Sequence, residues 1–305
     1  LDLLKYISKE PKPNEPAADV PSPLNCAVAA LTALTYAFSP AAWSQALIAE
    51  VYPLATLFFA LTLLFSFRWM SSGDSSDMRR SFFCFWTAVG CHHSCALAAP
   101  VIAGVAAWDV RMGRGSLKGV LFWASLTAVI CLSVFLYLPI RSAADPVLDW
   151  GDPETLSSAI RHVFRSEYGG FQSFRMIATP FFLKETAFRT AAQFPAPWLV
   201  MMAAGLFLAR RLRKRLRVFW GALLIIYYPI YVFLMTGMMN SLQWTEADAF
   251  LLPLFIVASI VAGVGLHLMC SAVSRRGNSA LGLVLILVCI ISLAVNAASI
   301  ARSAD

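Results

Sequence analysis

The chain has 305 residues, of which 59% are hydrophobic and only 13% charged, and its mean hydropathy is +0.69. A soluble domain carries about a quarter charged residues, so this composition excludes an ordinary soluble protein and indicates an integral membrane protein. The net charge of +7 does not point to nucleic acid, because the basic residues stand in short clusters between apolar runs, most densely Arg210-Arg211-Leu212-Arg213-Lys214-Arg215-Leu216-Arg217. That is the pattern of cytoplasmic loops under the positive-inside rule; an anionic-lipid or partner site is the other reading.

Residues 1–24 are polar and rich in proline (Pro11, Pro13, Pro16, Pro21, Pro23) and read as a linker or the cut end of a longer protein. Apolar runs follow at about 25–41, 54–69, 81–91, 94–108, 119–139, 191–209, 218–236, 249–270 and 280–299. Their lengths are those of helices and not the short alternating strands of a membrane barrel. Hydrocarbon also forces every backbone amide to be satisfied within its own segment. The expected fold is therefore all-α, a polytopic membrane helix bundle of about nine crossings. It divides into a first membrane part (25–139), a helical loop near 140–190 and C-terminal transmembrane helices (191–305).

The stretch 81–108 needs a decision. As one helix it would be about 42 Å long at 1.5 Å per residue, longer than a hydrocarbon core of about 30 Å. Arg68, Arg79 and Arg80 precede it, and Arg111, Arg114 and Lys118 follow it. If both clusters are cytoplasmic, the chain enters and returns. The reading is a helical pair turning near Gly90-Cys91-His92-His93-Ser94. The cytoplasmic side then receives 1–24, 70–80, 109–118, 210–217 and 271–279. The opposite side receives 42–53, the histidine turn, 140–190 and 237–248. The 140–190 loop balances Arg141, Arg161, Arg165, Arg175, Lys184 and Arg189 against Asp145, Asp149, Asp152, Glu154, Glu167 and Glu185. Such balance points to internal pairing or ligand binding.

Four polar elements thus open on one non-cytoplasmic face, and each has two readings. Glu50, between Trp43 and Tyr52, is either a carboxylate orienting a substrate or cation, or an interfacial helix-end residue beside aromatic anchors. His92 and His93 lie between Cys91 and Cys95, which at i and i+4 would share a helix face. Two thiols and one imidazole fall short of a metal site, so a phosphate- or sugar-binding histidine and a structural histidine remain. In Asp149-Trp150-Gly151-Asp152-Pro153, Asp152 has the look of an N-cap with Pro153 at the first helical position of a helix near 154–166. The same segment offers an indole face and carboxylates for a sugar. That helix puts His162 and Arg165 on adjoining turns near Arg161, where guanidinium groups suit a phosphate. Glu246 and Asp248 sit at a helix N-terminus, where acidic groups suit the macrodipole or line a shared cleft. No Walker, GxGxxG, HExxH or GxSxG pattern occurs, which argues against soluble nucleotide chemistry. The seven cysteines are odd in number and lie in or beside apolar runs, so no disulfide framework is expected.

Several ordered segments carry a resemblance. They are Phe38-Ser39-Pro40 through Trp43-Ser44-Gln45 to Glu50-Val51-Tyr52, Gly90-Cys91-His92-His93-Ser94 with Pro100, Tyr137-Leu138-Pro139-Ile140-Arg141-Ser142, Trp150-Gly151-Asp152-Pro153, His162 to Arg165 with Glu167-Tyr168-Gly169, and Asp248-Ala249-Phe250-Leu251-Leu252-Pro253. Over roughly residues 25–270 the chain resembles the transmembrane protein 260-like O-mannosyltransferases, a branch of the GT-C class of polytopic glycosyltransferases. The resemblance implies transfer of mannose from a polyprenyl (dolichyl) phosphate sugar to protein Ser/Thr hydroxyls at the luminal face of the endoplasmic reticulum, or at the periplasmic face of a bacterial inner membrane. It implies a lipid-linked donor as substrate and no cofactor; the partners are that donor, an acceptor protein and the bilayer, with no nucleic acid and no metal. It also implies a general base, typically an Asp, in a first luminal loop, expected upstream of Leu1. Family members tend to carry Arg where this chain has Ala247; either phosphate binding is weaker here, or Arg141 or Arg165 serves instead. The substrate-binding residues expected on this basis are Glu50, Tyr52, His93, Arg141, Trp150, Asp152, His162, Arg165 and Asp248. A non-catalytic fragment or scaffold and a lipid-linked sugar transporter are the competing classes.

Overall fold

The computed structural model describes Leu4, residues 22–164, 179–208, Phe219, Leu223 and residues 247–303. Among these the structure is helical, without a strand, and forms two units: 1–53, 186–223 and 251–305 make the first, and 54–185 with 224–250 the second.

In the first unit, α1 (Pro23–Ala37) and α2 (Pro40–Ala46) form a pair bent by 67°. Pro40 explains the break. It disfavours helical geometry at Ser39, whose extended backbone and hydroxyl instead cap α2 at Ala42 N. Distant side chains satisfy the backbone groups the break frees. Asn296 Nδ2 donates to Phe38 O at 2.8 Å, and Gln193 Oε1 accepts from Ala41 N at 2.9 Å. This is how a broken helix is accommodated where water is scarce.

The unit is centred on α11 (Ala247–Ser274), whose residues from Leu251 onward are mostly buried, whereas α12 (Ser279–Ser303) is largely exposed. Small residues set the approach to α10 (Ala196–Leu208), which follows α9 (Thr179–Ala192). A Cβ added at Gly205 would strike Val261 O, one at Gly265 would strike Met201 O, and one at Gly263 would strike the Thr32 side chain of α1. Close backbone approach through glycine is a common way for membrane helices to pack without a hydrophobic driving force.

In the second unit, α3 (Tyr52–Ser72, from Leu54), α4 (Ser75–Cys91), a 3₁₀ turn (His93–Ala98) leading into α5 (Ala99–Arg111), and α6 (Leu117–Leu132) run alternately up and down. A second 3₁₀ turn (Ser133–Leu136) carries α6 on into α7 (Tyr137–Ser142), and the two count as one spanning rod, Leu117–Ser142.

Side-chain pairs fix the directions. Arg79 lies over the Trp123 ring at 5.1 Å, Thr87 Oγ1 is 3.4 Å from Cys131 Sγ, and Gly90 faces Val134, so α4 and α6 are parallel. Ser66 Oγ meets Ser81 Oγ at 2.7 Å, joining α3 to α4. The lower end is locked by Arg114. Its Nη1 and Nη2 each donate to Met70 O at 3.2 Å, and its Nε lies 3.1 Å from Asp109 Oδ1.

The turn expected near residues 90–94 is present. Helix α4 ends at Cys91, His92 is extended, and the next helix starts at His93. The two basic clusters around 68–80 and 111–118 therefore share one end, as the charge argument requires. One expectation is corrected in detail. Cys91 and Cys95 do not share a helix face, because the extended His92 separates them. Of the nine expected crossings, the described residues hold five helices long and apolar enough to span, or six if the bent pair is one span. Run 191–209 is only the 13-residue α10, and most of run 218–236 lies outside the described residues. The helices found make the chain a multi-pass membrane protein.

Candidate functional site

The upper end of the second unit carries most of the expected site residues. At the histidine turn, His92 is buried and His93 half-buried, with their rings 4.5 Å apart. His92 Nδ1 lies 2.7 Å from Ser94 Oγ, which orients the ring. The His92 ring also lies 5.5 Å from that of Phe250. Phe250 is two residues past Asp248, which sits in the first turn of α11. Thus the histidine turn and the acidic helix start, far apart in sequence, are neighbours in this unit.

The second cluster lies beyond α7. Because Gly90 sits beside Cys131 O and Val134, the rod from Val134 to Ser142 projects past the end of α4 by about 12 Å at 1.5 Å per residue. Arg141 is exposed in the last turn of that rod. The next residue, Ser142, is buried and donates from Oγ to Asp149 Oδ2 at 2.6 Å. That bond closes the 143–148 loop. On the far side of the Trp-Gly-Asp segment, Pro153 is buried. The segment is therefore pinned at both ends, while Trp150 and Asp152 between the pins are exposed.

Backbone geometry strengthens this picture. Gly151 has φ 77° and Asp152 φ 44°, two consecutive left-handed residues, and Asp145 has φ 48°. Left-handed geometry costs a non-glycine residue about 1–2 kcal/mol, least for Asp and Asn. Such outliers concentrate at binding sites. It also corrects the helix start. Asp152 cannot be the N-cap, which needs extended backbone. The cap is Thr155, whose Oγ1 accepts from Ser158 N at 3.1 Å while Ser158 Oγ accepts from Thr155 N at 3.0 Å. Helix α8 accordingly runs Leu156–Val163 and not from residue 154. Asp152 is thereby released from the structural role that the sequence offers it.

Helix α8 packs on α7. Arg161 and His162 occupy its last turn, where positive charge suits the macrodipole. His162 is half-buried, and its Nδ1 is enclosed without a hydrogen-bond partner among the described residues. Arg165 lies outside the described residues.

Glu50 and Tyr52 belong to the first unit. Glu50 is exposed just before α3, and Tyr52 is half-buried at that helix's start. Sequence reasoning missed His92, Ser94, Phe250, Ser142 and Asp149 as positioning residues. Only the His92–Ser94 spacing carried a local signal, since an i, i+2 side-chain bond is a common local motif.

This end of the unit presents an imidazole pair, exposed guanidinium groups and an exposed Trp–Asp pair, the chemical classes that suit phosphates and sugars. Residues 3–112 match the profile of the family described as Protein O-mannosyl-transferase TMEM260 N-terminal domain. The match includes Glu50, Tyr52 and His93 and stops short of the 140–164 cluster. No curated protein and no solved structure matches the chain. The similarity to that N-terminal domain thus covers about a third of the chain, and residues 113–305 lie outside it.

Proposed function

We propose that this protein transfers mannose from a polyprenyl (dolichyl) phosphate sugar to Ser or Thr hydroxyls of an acceptor protein, on the non-cytoplasmic face of the endoplasmic reticulum membrane. The observation that supports it most is the match of residues 3–112 to that family's profile, combined with the exposed Trp150 and Asp152 in the loop that the Ser142–Asp149 bond ties back to the residue following the exposed Arg141 in sequence.

In such a reaction the acceptor oxygen attacks the sugar's anomeric carbon as that carbon's bond to the lipid phosphate oxygen breaks. The hydroxyl proton passes to a carboxylate base, and the lipid phosphate leaves with the bonding electron pair. Negative charge grows on that phosphate, so cationic donors already in place lower the barrier. Arg141, His162 and Arg165 take the phosphate in this reading. His93, Trp150, Asp152 and Asp248 position the sugar and acceptor, with the Trp150 face on sugar C–H groups, and Glu50 and Tyr52 keep the substrate-binding role that the resemblance implies. The lipid tail remains in the bilayer.

The test is an in-vitro assay of the full-length protein with labelled polyprenyl-phosphate mannose and an acceptor protein. Transfer of label to acceptor hydroxyls supports the reading. Movement of intact donor across a vesicle membrane without transfer would identify a transporter instead.

A further inference from the structure

Helix α8 carries Leu156 and Ile160, and Phe164 follows at its end, at intervals of four residues. Four-residue steps put all three on one face. That face is open: the three side chains are 70%, 48% and 68% exposed, and Val147 and Leu148 of the preceding loop are 103% and 91% exposed. Ala159, by contrast, is buried. The reciprocal Thr155–Ser158 cap fixes the helix start. With eight residues, the helix is about 12 Å long and does not cross a hydrocarbon core of about 30 Å. An exposed apolar helix face of this kind marks an interaction surface.

Its position identifies the occupant. Helix α8 packs on α7, the last turn of the spanning rod Leu117–Ser142, whose Tyr137 and Ile140 are 62% and 71% exposed. The lipid-facing surface of that rod thus leads directly to the apolar face of α8. Arg161 is exposed at the edge of the stripe, where it matches lipid phosphates. Apolar residues on one face and a basic residue beside them are the pattern of a helix lying in the membrane interface.

We propose that α8, together with Val147 and Leu148, is an interfacial anchor. It lies parallel to the bilayer at the headgroup–acyl boundary of the non-cytoplasmic leaflet, with phospholipid as the occupant of its Leu156–Ile160–Phe164 face. The proposal does not depend on which group, if any, the protein transfers.

Full-length protein carrying the photoreactive residue p-benzoylphenylalanine at Ile160 or Phe164, reconstituted in phosphatidylcholine nanodiscs and irradiated, tests this by mass spectrometry. Val129, 71% exposed on α6, serves as the lipid-facing control, and Ala144, exposed in the loop after α7, as the aqueous one. Expected are phosphatidylcholine adducts at both α8 positions in yields like that at Val129, and loss of adduct at Ala144. Cross-links to a second copy or to another segment of the chain, or no lipid adduct at Ile160 and Phe164 while Val129 gives one, would overturn the proposal.

Discussion

The His92 ring lies 5.5 Å from the Phe250 ring, at 47° between planes. This contact joins the turn between α4 and α5 to the start of α11, and so sets His93 and Asp248 at the same end of the second unit. Below it, Arg114 ties the opposite end to Met70 O. One end therefore carries Arg68, Arg79, Arg80 and Arg114, and the other the histidine turn, Arg141 and Asp248.

Asp152→Asn and Arg141→Ala are the direct probes of the proposed chemistry. Asparagine tolerates the left-handed backbone at position 152 as well as aspartate does, so Asp152→Asn removes charge and leaves the turn. Each variant is expected to reduce mannose transfer by about a hundredfold or more, the scale for losing one preorganised electrostatic contact, with unchanged thermal stability. Transfer rates of purified variants on labelled donor check this; wild-type rates in both would remove the loop from the chemistry.

Ser142→Ala tests the loop's rigidity. It removes the 2.6 Å bond to Asp149, and a hydrogen bond to a charged group contributes about 1.5–3 kcal/mol. Amide hydrogen exchange across 143–152 is expected to speed up while the spanning helices stay protected. Unaltered exchange in the loop would mean that the bond does not hold the Trp-Gly-Asp segment.

Gly265→Ala and Gly104→Ala form a matched pair. The new methyl at position 265 meets the Met201 carbonyl, whereas at Gly104 nothing lies within 4 Å. Overpacking costs about 1–3 kcal/mol. Thermal unfolding in detergent is expected to show a lowered midpoint for Gly265→Ala and none or a slight gain for Gly104→Ala.

Asp109 and Arg114 form a 3.1 Å ion pair whose side chains are 3% and 23% exposed. Removing one partner leaves a buried charge, at a cost of about 3–5 kcal/mol for a fully buried pair; the partial exposure of Arg114 reduces that. Arg114→Met is expected to destabilise the protein more than the double variant Asp109→Leu with Arg114→Met. Equal losses of unfolding midpoint in the two would show that the pair contributes through packing alone.

The hairpin break at His92 was legible because charge on both flanks and a length limit leave one solution. The membrane fold was legible for the same reason: hydrocarbon admits few structures. The start of α8 was misplaced because Asp152-Pro153 has the form of a cap, while Thr155 and Ser158 satisfy each other's backbone amides three residues later. Ser142–Asp149, His92–Phe250 and Asn296–Phe38 were not legible, since each joins residues with no local spacing rule. They are consequences of how helices pack. Glu50 remained ambiguous because a carboxylate before a helix start looks alike in both of its roles.

Sidedness is the most direct test. In sealed membrane vesicles with the cytoplasmic face outward, cysteines placed at Glu50, His93 and Ala144 are expected to react with a membrane-impermeant maleimide only after the vesicles are opened. A cysteine at Met112 should react at once, with the native chain as baseline. Reaction of Glu50→Cys, His93→Cys or Ala144→Cys in intact vesicles would place the sugar-phosphate groups on different sides and contradict the account.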